Sequence, residues 1–331
     1  MILVTGGTGL VGSHLLYHLT LRNDRVRAVY RTRDGLPNVR KVFSYYTKKG
    51  DEYFSKIDWH QADITDVPSM IPVFEGVSQV YHCAALISFD PSDYRKMRKV
   101  NIHGTAIMVN LSIDVGVKKF CYVSSIAALG GNSKKLVSDE DNHWSNSEKN
   151  HGYAITKHGG EIEVWRASQE GVDVVIVNPG VILGSGFWNS GTGKVFTKVH
   201  KGFSYYTKGV TGFVGVKDVV SAMIQLMSSP LKNERFVLVA EHKSFAEILN
   251  TIADEFGKKH PSKAVAAWVT EAFWRWEWFL FKFTSRKPRI SKYSARSLHS
   301  KTYYSSEKIK NALDFQFQKI RDVIKQVCND Y

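Results

Sequence analysis

At 331 residues, with 43% hydrophobic and 23% charged side chains, the chain is long enough to bury a large core and has the balance of an ordinary soluble globular protein. Three scattered cysteines, Cys83, Cys121 and Cys328, form no CxxC pair, so neither a disulfide framework nor a zinc site is expected. The formal net charge of +14 raises nucleic acid and anionic membranes as partners. Much of the excess lies between Lys282 and Lys310, where Glu307 is the only acid and no nucleic-acid motif accompanies the basic residues. A solvated basic face is expected there, a subset of which meets an anionic substrate group in one reading, and no nucleic-acid partner.

The chain opens MILVTGGTGLVG. Met1 to Val4 reads as a buried parallel strand, and SHLLYHLTL carries apolar residues at helical spacing. Strand, glycine turn and helix in that order form a dinucleotide fingerprint, because bare glycine backbone lets a pyrophosphate approach the N–H groups at a helix start. Gly6, Gly9, Leu10, Val11 and Gly12 are its candidate residues. A first strand beginning at Met1 leaves no room for a leader, and a cytoplasmic protein is expected. His14 and His18 have metal-ligand spacing without a third ligand, so a solvated helix face is expected and no metal.

RVRAVYRTR then reads as a second strand. About 20 residues past the loop, where a carboxylate would hold a ribose 2′-hydroxyl, stand Tyr30, Arg31, Thr32 and Arg33. Arginine pairs a 2′-phosphate bidentately, so NADP(H) is preferred and NAD(H) remains open. Leu36 to Ser55 reads as irregular, and its FSYYTK hexapeptide recurs at Phe203 to Lys208 with no repeat around it. Asp63-Ile64 follows a third strand, where the aspartate either accepts the adenine amine or caps a loop or helix.

A fourth strand, Val77 to His82, ends in the small residues Ala84 and Ala85, which let a cofactor lie close. Asn101 stands near the start of the next helix, where a capping role competes with any other. A fifth strand, Phe120 to Val123, ends in Ser124-Ser125, and residues 131 to 150 read as an exposed polar loop. Tyr153 and Lys157, four apart, share one helical face. A sixth strand, Val172 to Val177, closes on Pro179-Gly180-Val181 at the cofactor. The glycines at 191 and 193 do not make a phosphate loop, since Trp188 and Val195 stand where glycine and Ser or Thr are required. The stretch 267–283 is dense in Trp and Phe but too short and too charged to span a bilayer. It packs over the substrate cleft or a partner chain, or lies in a membrane interface.

In order and spacing, TGGTGLVG, Asp63-Ile64, HCAA, NIHGT, VSSIAA, YAITK, NPGVILG and GFVGVKDVV resemble the extended short-chain dehydrogenase/reductase family, in its dihydroflavonol-reductase-like branch. The resemblance implies an α/β fold with a Rossmann-type doubly wound parallel sheet and a smaller C-terminal α/β substrate lobe. Residues 1–180, rejoined by about 213–240, would form the NADP-binding domain, and 181–212 with 241–331 the lobe. It implies a catalytic set of Asn101, Ser125, Tyr153 and Lys157. Tyr153 would exchange a proton with a carbonyl oxygen, Ser125, rather than its neighbour Ser124, would hydrogen-bond that oxygen, Lys157 would hold the nicotinamide ribose, and Asn101 a water in the proton path. Working near neutrality would need the phenol lowered about three units, roughly 4 kcal/mol, by Lys157 and the oxidised nicotinamide.

The implied activity is NADP(H)-dependent reduction of a ketone or aldehyde on an apolar substrate, and the partner a small-molecule carbonyl or alcohol. A nucleotide-sugar epimerase with tightly held NAD and a non-catalytic NADP-sensing protein share the fold. Ile126-Ala127-Ala128 offers no acid pair after the catalytic hydroxyl and argues against a 4,6-dehydratase. Family members are often homodimers, but no interface is legible in these residues.

Overall fold

The structure is a computed structural model that describes residues 1–22, 25–130, 136–145, 151–284 and 290–331. Ten strands carry the architecture: β1 Ile2–Thr5, β2 Val26–Tyr30, β3 Asp58–Gln61, β4 Gln79–His82, β5 Lys119–Val123, β6 Asp173–Pro179, β7 Val181–Leu183, β8 Val210–Gly215, β9 Glu234–Leu238 and β10 Glu241–Ser244. Seven of them form one parallel sheet in the order β9-β6-β5-β4-β1-β2-β3. The order reverses between β1 and β4, and the crevice outside their carboxyl ends is where such sheets take ligands.

Helices α1 Leu10–Leu21, α2 Leu36–Tyr46, α3 Thr105–Asp114, α4 Gly152–Gln169, α5 Val216–Ser228, α6 Ala267–Thr284 and α7 Lys292–Ser297 concern the site. α1, α2 and α5 cover one face of the sheet, where Leu15, Leu16, Phe43, Met223 and Leu226 pack on Val4, Cys121 and Val175. α3 and α4 cover the other, with Met108, Val109 and Val164 against Leu3, Phe120 and Val174. Covering on both faces explains why these strands read as continuous apolar runs.

The remaining strands form a second sheet, β10-β8-β7, roofed by Gly193–His200, Phe245–Glu255 and Ile320–Asn329 through Phe196, Ile252 and Ile324. Phe213–Gly215, expected in the returning part of the main domain, instead belongs to this small sheet, and the return begins with α5. Two further expectations are corrected. Leu36 to Ser55 is not irregular: Val39, Val42 and Phe43 bury one side of α2, and a second helix, Gly50–Ser55, follows. The first FSYYTK copy is therefore largely helical, while in the second Tyr205–Tyr206 is a strand beside Lys263–Ala264.

Of the polar stretch 131–150, residues 131–135 and 146–150 lie outside the described residues, and the part between them is no exposed loop. Val137–Ser138 pairs with Tyr303–Tyr304, and Glu140 and Asn142 are buried. The Val237 N–H donates to the Glu140 carboxylate at 2.7 Å, and Arg235 donates to the Glu140 and Asn142 carbonyls. The edge of β9 thus gains partners that only tertiary packing supplies.

Candidate active site

The chain leaves β1 through Gly6, at φ +68°, and enters α1 behind Gly9, which supplies no side-chain cap. The first-turn N–H groups, those of Leu10, Val11 and Gly12, have no acceptor within the helix and could hold an anion. A Cβ on Gly12 would overlap the Gly6 carbonyl oxygen, and one on Gly6 would meet the Ala84 nitrogen at 2.5 Å. Helix, loop and the end of β4 are pressed together so closely that side chains here would fill the cradle. The residues present therefore fit a dinucleotide pyrophosphate.

Arg31 is exposed just beyond β2, and Gly35 closes the same turn against Thr8 of the glycine loop. Its charge reaches Asp63, beyond β3. Burial pushes the Asp63 carboxyl up, but hydrogen bonds from Thr65 N and Oγ1, both 2.8 Å, with the charges of Arg31 and Lys99, bring it below its ordinary value. Asp63 is thus a local turn-former, with Ile64 buried beside it against Gly104. At the far end of the crevice Gly180 donates to Leu238 O at 3.0 Å, between buried Pro179 and half-buried Val181.

The candidate catalytic side chains gather at the carboxyl end of β5. Ser125 follows β5, and its hydroxyl accepts from Ala127 N at 3.2 Å and lies close enough to the Tyr153 phenol to lower it. Ser124 is buried, and its hydroxyl acts on the Glu161 carboxylate, which it lowers. Lys157, one turn along α4, is buried and donates to Val123 O at 2.7 Å and to the Tyr122 hydroxyl at 3.0 Å, with Nζ 4.3 Å from the Tyr122 ring centre. Burial pushes Lys157 down to about 7, opposed by the charge of Glu161. Burial pushes Tyr153 up to about 12, and the neighbouring Ser125 hydroxyl offsets only part of this. The protein alone thus shifts the phenol opposite to the expected direction, because desolvation outweighs any pull from the lysine.

Asn101 does not sit at a helix start. It lies within a π-helical turn, Lys99–Gly104, that runs into α3, and it is fully buried. Its Oδ1 accepts Leu86 N at 2.7 Å, and its Nδ2 donates to Leu86 O at 2.9 Å and Thr156 Oγ1 at 3.0 Å. Both amide hydrogens are thereby used, which leaves no side-chain donor for the expected water. What Asn101 does here is clamp the Ala84–Asp90 segment, with exposed Ala85, Ile87 and Phe89, to the catalytic helix.

Several supporting residues escaped the sequence reading. His82, at the end of β4, is fully buried between Thr5 Oγ1, 2.6 Å, and Thr105 Oγ1, 3.0 Å. Thr105 donates to Asn101 O at 2.8 Å, so it accepts from His82 Nε2, and burial drives His82 down to about 3. Asn178, in β6, donates to Ser125 O at 3.0 Å and to the Glu161 carboxylate at 2.6 Å, and Arg235 lies 3.3 Å from that carboxylate. Glu161, four residues after Lys157, was legible from spacing alone. His151 caps α4 and stacks 6.1 Å from Tyr153, with Phe89 6.2 Å from the same ring and Tyr293 of α7 6.0 Å from His151. The mouth of the site is aromatic.

His14 is no part of a solvated face. It is buried between the Tyr46 hydroxyl at 2.6 Å and Ser185 O at 3.1 Å, and burial lowers it to about 4. His18 is likewise lowered by burial. The basic C-terminal residues are partly paired, Lys308 with Glu234 at 2.7 Å and Arg296 with Glu271 at 3.0 Å.

The fold and the chain's sequence as a whole find relatives among known proteins. The model of the NAD dependent epimerase/dehydratase family matches residues 2–238. The chain belongs to this family. It is an NAD(P)-dependent oxidoreductase of the extended short-chain dehydrogenase/reductase type. Similar curated proteins include sterol demethylase protein B of Methylococcus capsulatus, 28% identical over 90% of this chain and 88% of that one. The 3-beta-hydroxysteroid dehydrogenase of Mycolicibacterium neoaurum is 25% identical over 95% and 86%, and the UDP-glucose 4-epimerase of Vibrio cholerae 26% over 82% and 80%. Among solved structures, gox2253 superposes with a TM-score of 0.81 at 23% identity, covering 99% of this chain and 97% of its own, which shows the shared fold. Among the described residues no helix is long and apolar enough to cross a membrane.

Proposed function

We propose that this family member is an NADP(H)-dependent reductase of a ketone or aldehyde on an apolar substrate. The observation that carries the reading is the grouping of Tyr153, whose phenol the neighbouring Ser125 hydroxyl lowers, with buried Lys157 one helical turn along, itself held on Val123 O at the end of β5. When bound, the nicotinamide supplies the hydride. Tyr153 donates its phenolic proton to the substrate oxygen as the C=O bond opens, and Ser125 donates a hydrogen bond to the same oxygen. A phenol near 12 is protonated at neutral pH, the form that reduction requires. Lys157 spends two N–H groups on Tyr122 and Val123 and keeps the third for a ribose hydroxyl.

Leu10, Val11 and Gly12 N–H groups would hold the pyrophosphate, and Arg31 a 2′-phosphate. Exposed Ile87 and Phe89 and the Tyr293 ring support an apolar substrate, as do relatives whose names concern sterols and steroids. NADPH absorbance followed against a carbonyl panel tests the reading with wild type and Tyr153→Phe, and equal turnover by the two proteins sinks the mechanism. A second reading, an epimerase with tightly held NAD, is favoured by the likeness to UDP-glucose 4-epimerase. Mass spectrometry of the purified protein separates the two, since retained NAD supports the epimerase.

A further inference from the structure

α6 is held by its polar side. Thr270 meets His299 at 3.0 Å, and Glu271 binds Arg296 of α7 at 3.0 Å and Arg275 at 2.6 Å. At 100° per residue, Trp268, Val269, Phe273, Trp276 and Phe279 fall on one arc of about 140° on the outside. Trp268 is 73% exposed, Trp276 59%, Phe279 50% and Phe273 42%. A surface helix of a globular protein buries its apolar stripe, and this one presents it. Contiguous exposed patches of this kind mark contact surfaces.

Charge selects the occupant. Between Lys258 and Lys301 the sequence holds eleven Lys and Arg and two acids, Glu271 and Glu277. Lys258, Lys259 and Lys263 are exposed ahead of the helix, and Lys292 and Lys301 beyond it. A two-fold pairing through this face would bring the same basic segments together, since an isologous contact opposes each residue with its own neighbourhood. A layer of anionic headgroups neutralises them, while Trp and Phe enter the acyl boundary.

We propose that α6 lies in the plane of an anionic phospholipid membrane surface, with its aromatic arc buried in the interface and the flanking lysines on the headgroups. α7, on which α6 is seated, carries the Tyr293 ring beside His151, so the docked helix lies one element away from the mouth of the candidate crevice. That the substrate arrives from the lipid rests on the proposed function. The docking does not.

The full-length protein is floated with vesicles of phosphatidylcholine alone or mixed with phosphatidylglycerol, and tryptophan quenching by bromine-labelled acyl chains is recorded in parallel. Wild type is expected to float with the mixed vesicles and much less with phosphatidylcholine, to be released by salt, and to be quenched. Trp268→Ala/Trp276→Ala/Phe279→Ala, whose folding is checked by melting temperature and NADPH binding, is expected to lose at least about tenfold in partitioning. Lys263→Glu/Lys292→Glu is expected to lose the preference for anionic lipid. Failure of wild type to float or to be quenched overturns the proposal, and so does flotation of the folded triple variant equal to wild type. A wild-type dimer that the triple variant converts to monomer, with no vesicle binding, overturns it in favour of a second copy. None of these readouts depends on turnover, so they stand apart from a failure of the reductase reading.

Discussion

Replacing Asn101 with alanine removes three hydrogen bonds at once, to Leu86 N, Leu86 O and Thr156 Oγ1. Each unpaired group left in a buried setting costs about 1–3 kcal/mol. Leu86 is half-buried, so its two backbone groups belong at the low end, and the buried Thr156 hydroxyl, which keeps its bond to Tyr153 O, adds a similar amount, for a sum of about 3 kcal/mol. In a chain of this size that lowers the melting temperature by roughly 4 °C. The Ala84–Asp90 segment, freed from α4, loosens the wall formed by Ile87 and Phe89. KM for the carbonyl substrate is therefore expected to rise about tenfold, with a smaller loss in kcat and little change in NADPH affinity. Thermal melts with and without NADPH, and steady-state kinetics, check this. A variant melting within about 1 °C of wild type but crippled in kcat alone would refute the clamp and restore a water-holding role for Asn101.

Two other outcomes follow from the geometry. Arg31→Asp is expected to shift the NADPH-to-NADH preference in kcat/KM by roughly tenfold to a hundredfold toward NADH, since it replaces a phosphate partner with a repelling carboxylate; an unchanged ratio removes Arg31 from the cofactor site. His14 and His82, lowered by burial to about 4 and about 3, stay neutral in the folded protein while the unfolded chain takes up their protons near 6.5. Their contribution is complete above about 6.5 and is lost as pH falls toward 4, by up to about 1.4 kcal/mol per pH unit for each. His14→Gln should therefore lose less stability than wild type between pH 7 and 4 in a melting series, and equal slopes would contradict the assignment.

The sheet and the cofactor loop were legible because they depend on local pattern. Val4, Cys121 and Val175 lie in unbroken apolar runs, and Gly6, Gly9 and Gly12 answer to close backbone approach. Ser125, Tyr153 and Lys157 stood out by order along the chain, and Tyr153 and Lys157 also by helical spacing. What could not be read depends on partners distant in sequence. Glu140 and Asn142 look like loop residues until Arg235 and Val237 stand beside them. Asn101 looks like a cap until Leu86 and Thr156 surround its amide. The rise of Tyr153 is likewise invisible in sequence, because desolvation is set by what covers the ring. α2 was different: Val39, Val42, Phe43 and Tyr46 carry a helical period that was present and overlooked.

Net carbonyl reduction at the Ser125–Tyr153–Lys157 cluster leaves an isotopic trace. The most direct test is to incubate the protein with NADPH carrying deuterium at both nicotinamide C4 positions and a carbonyl substrate found in the panel, then to locate the label. Net reduction places one deuterium on the carbinol carbon for each NADPH consumed in wild type, and Tyr153→Phe binds NADPH but slows the transfer by roughly 10²–10⁴. Product formed without net NADPH consumption, or transfer by Tyr153→Phe at the wild-type rate, would contradict the account.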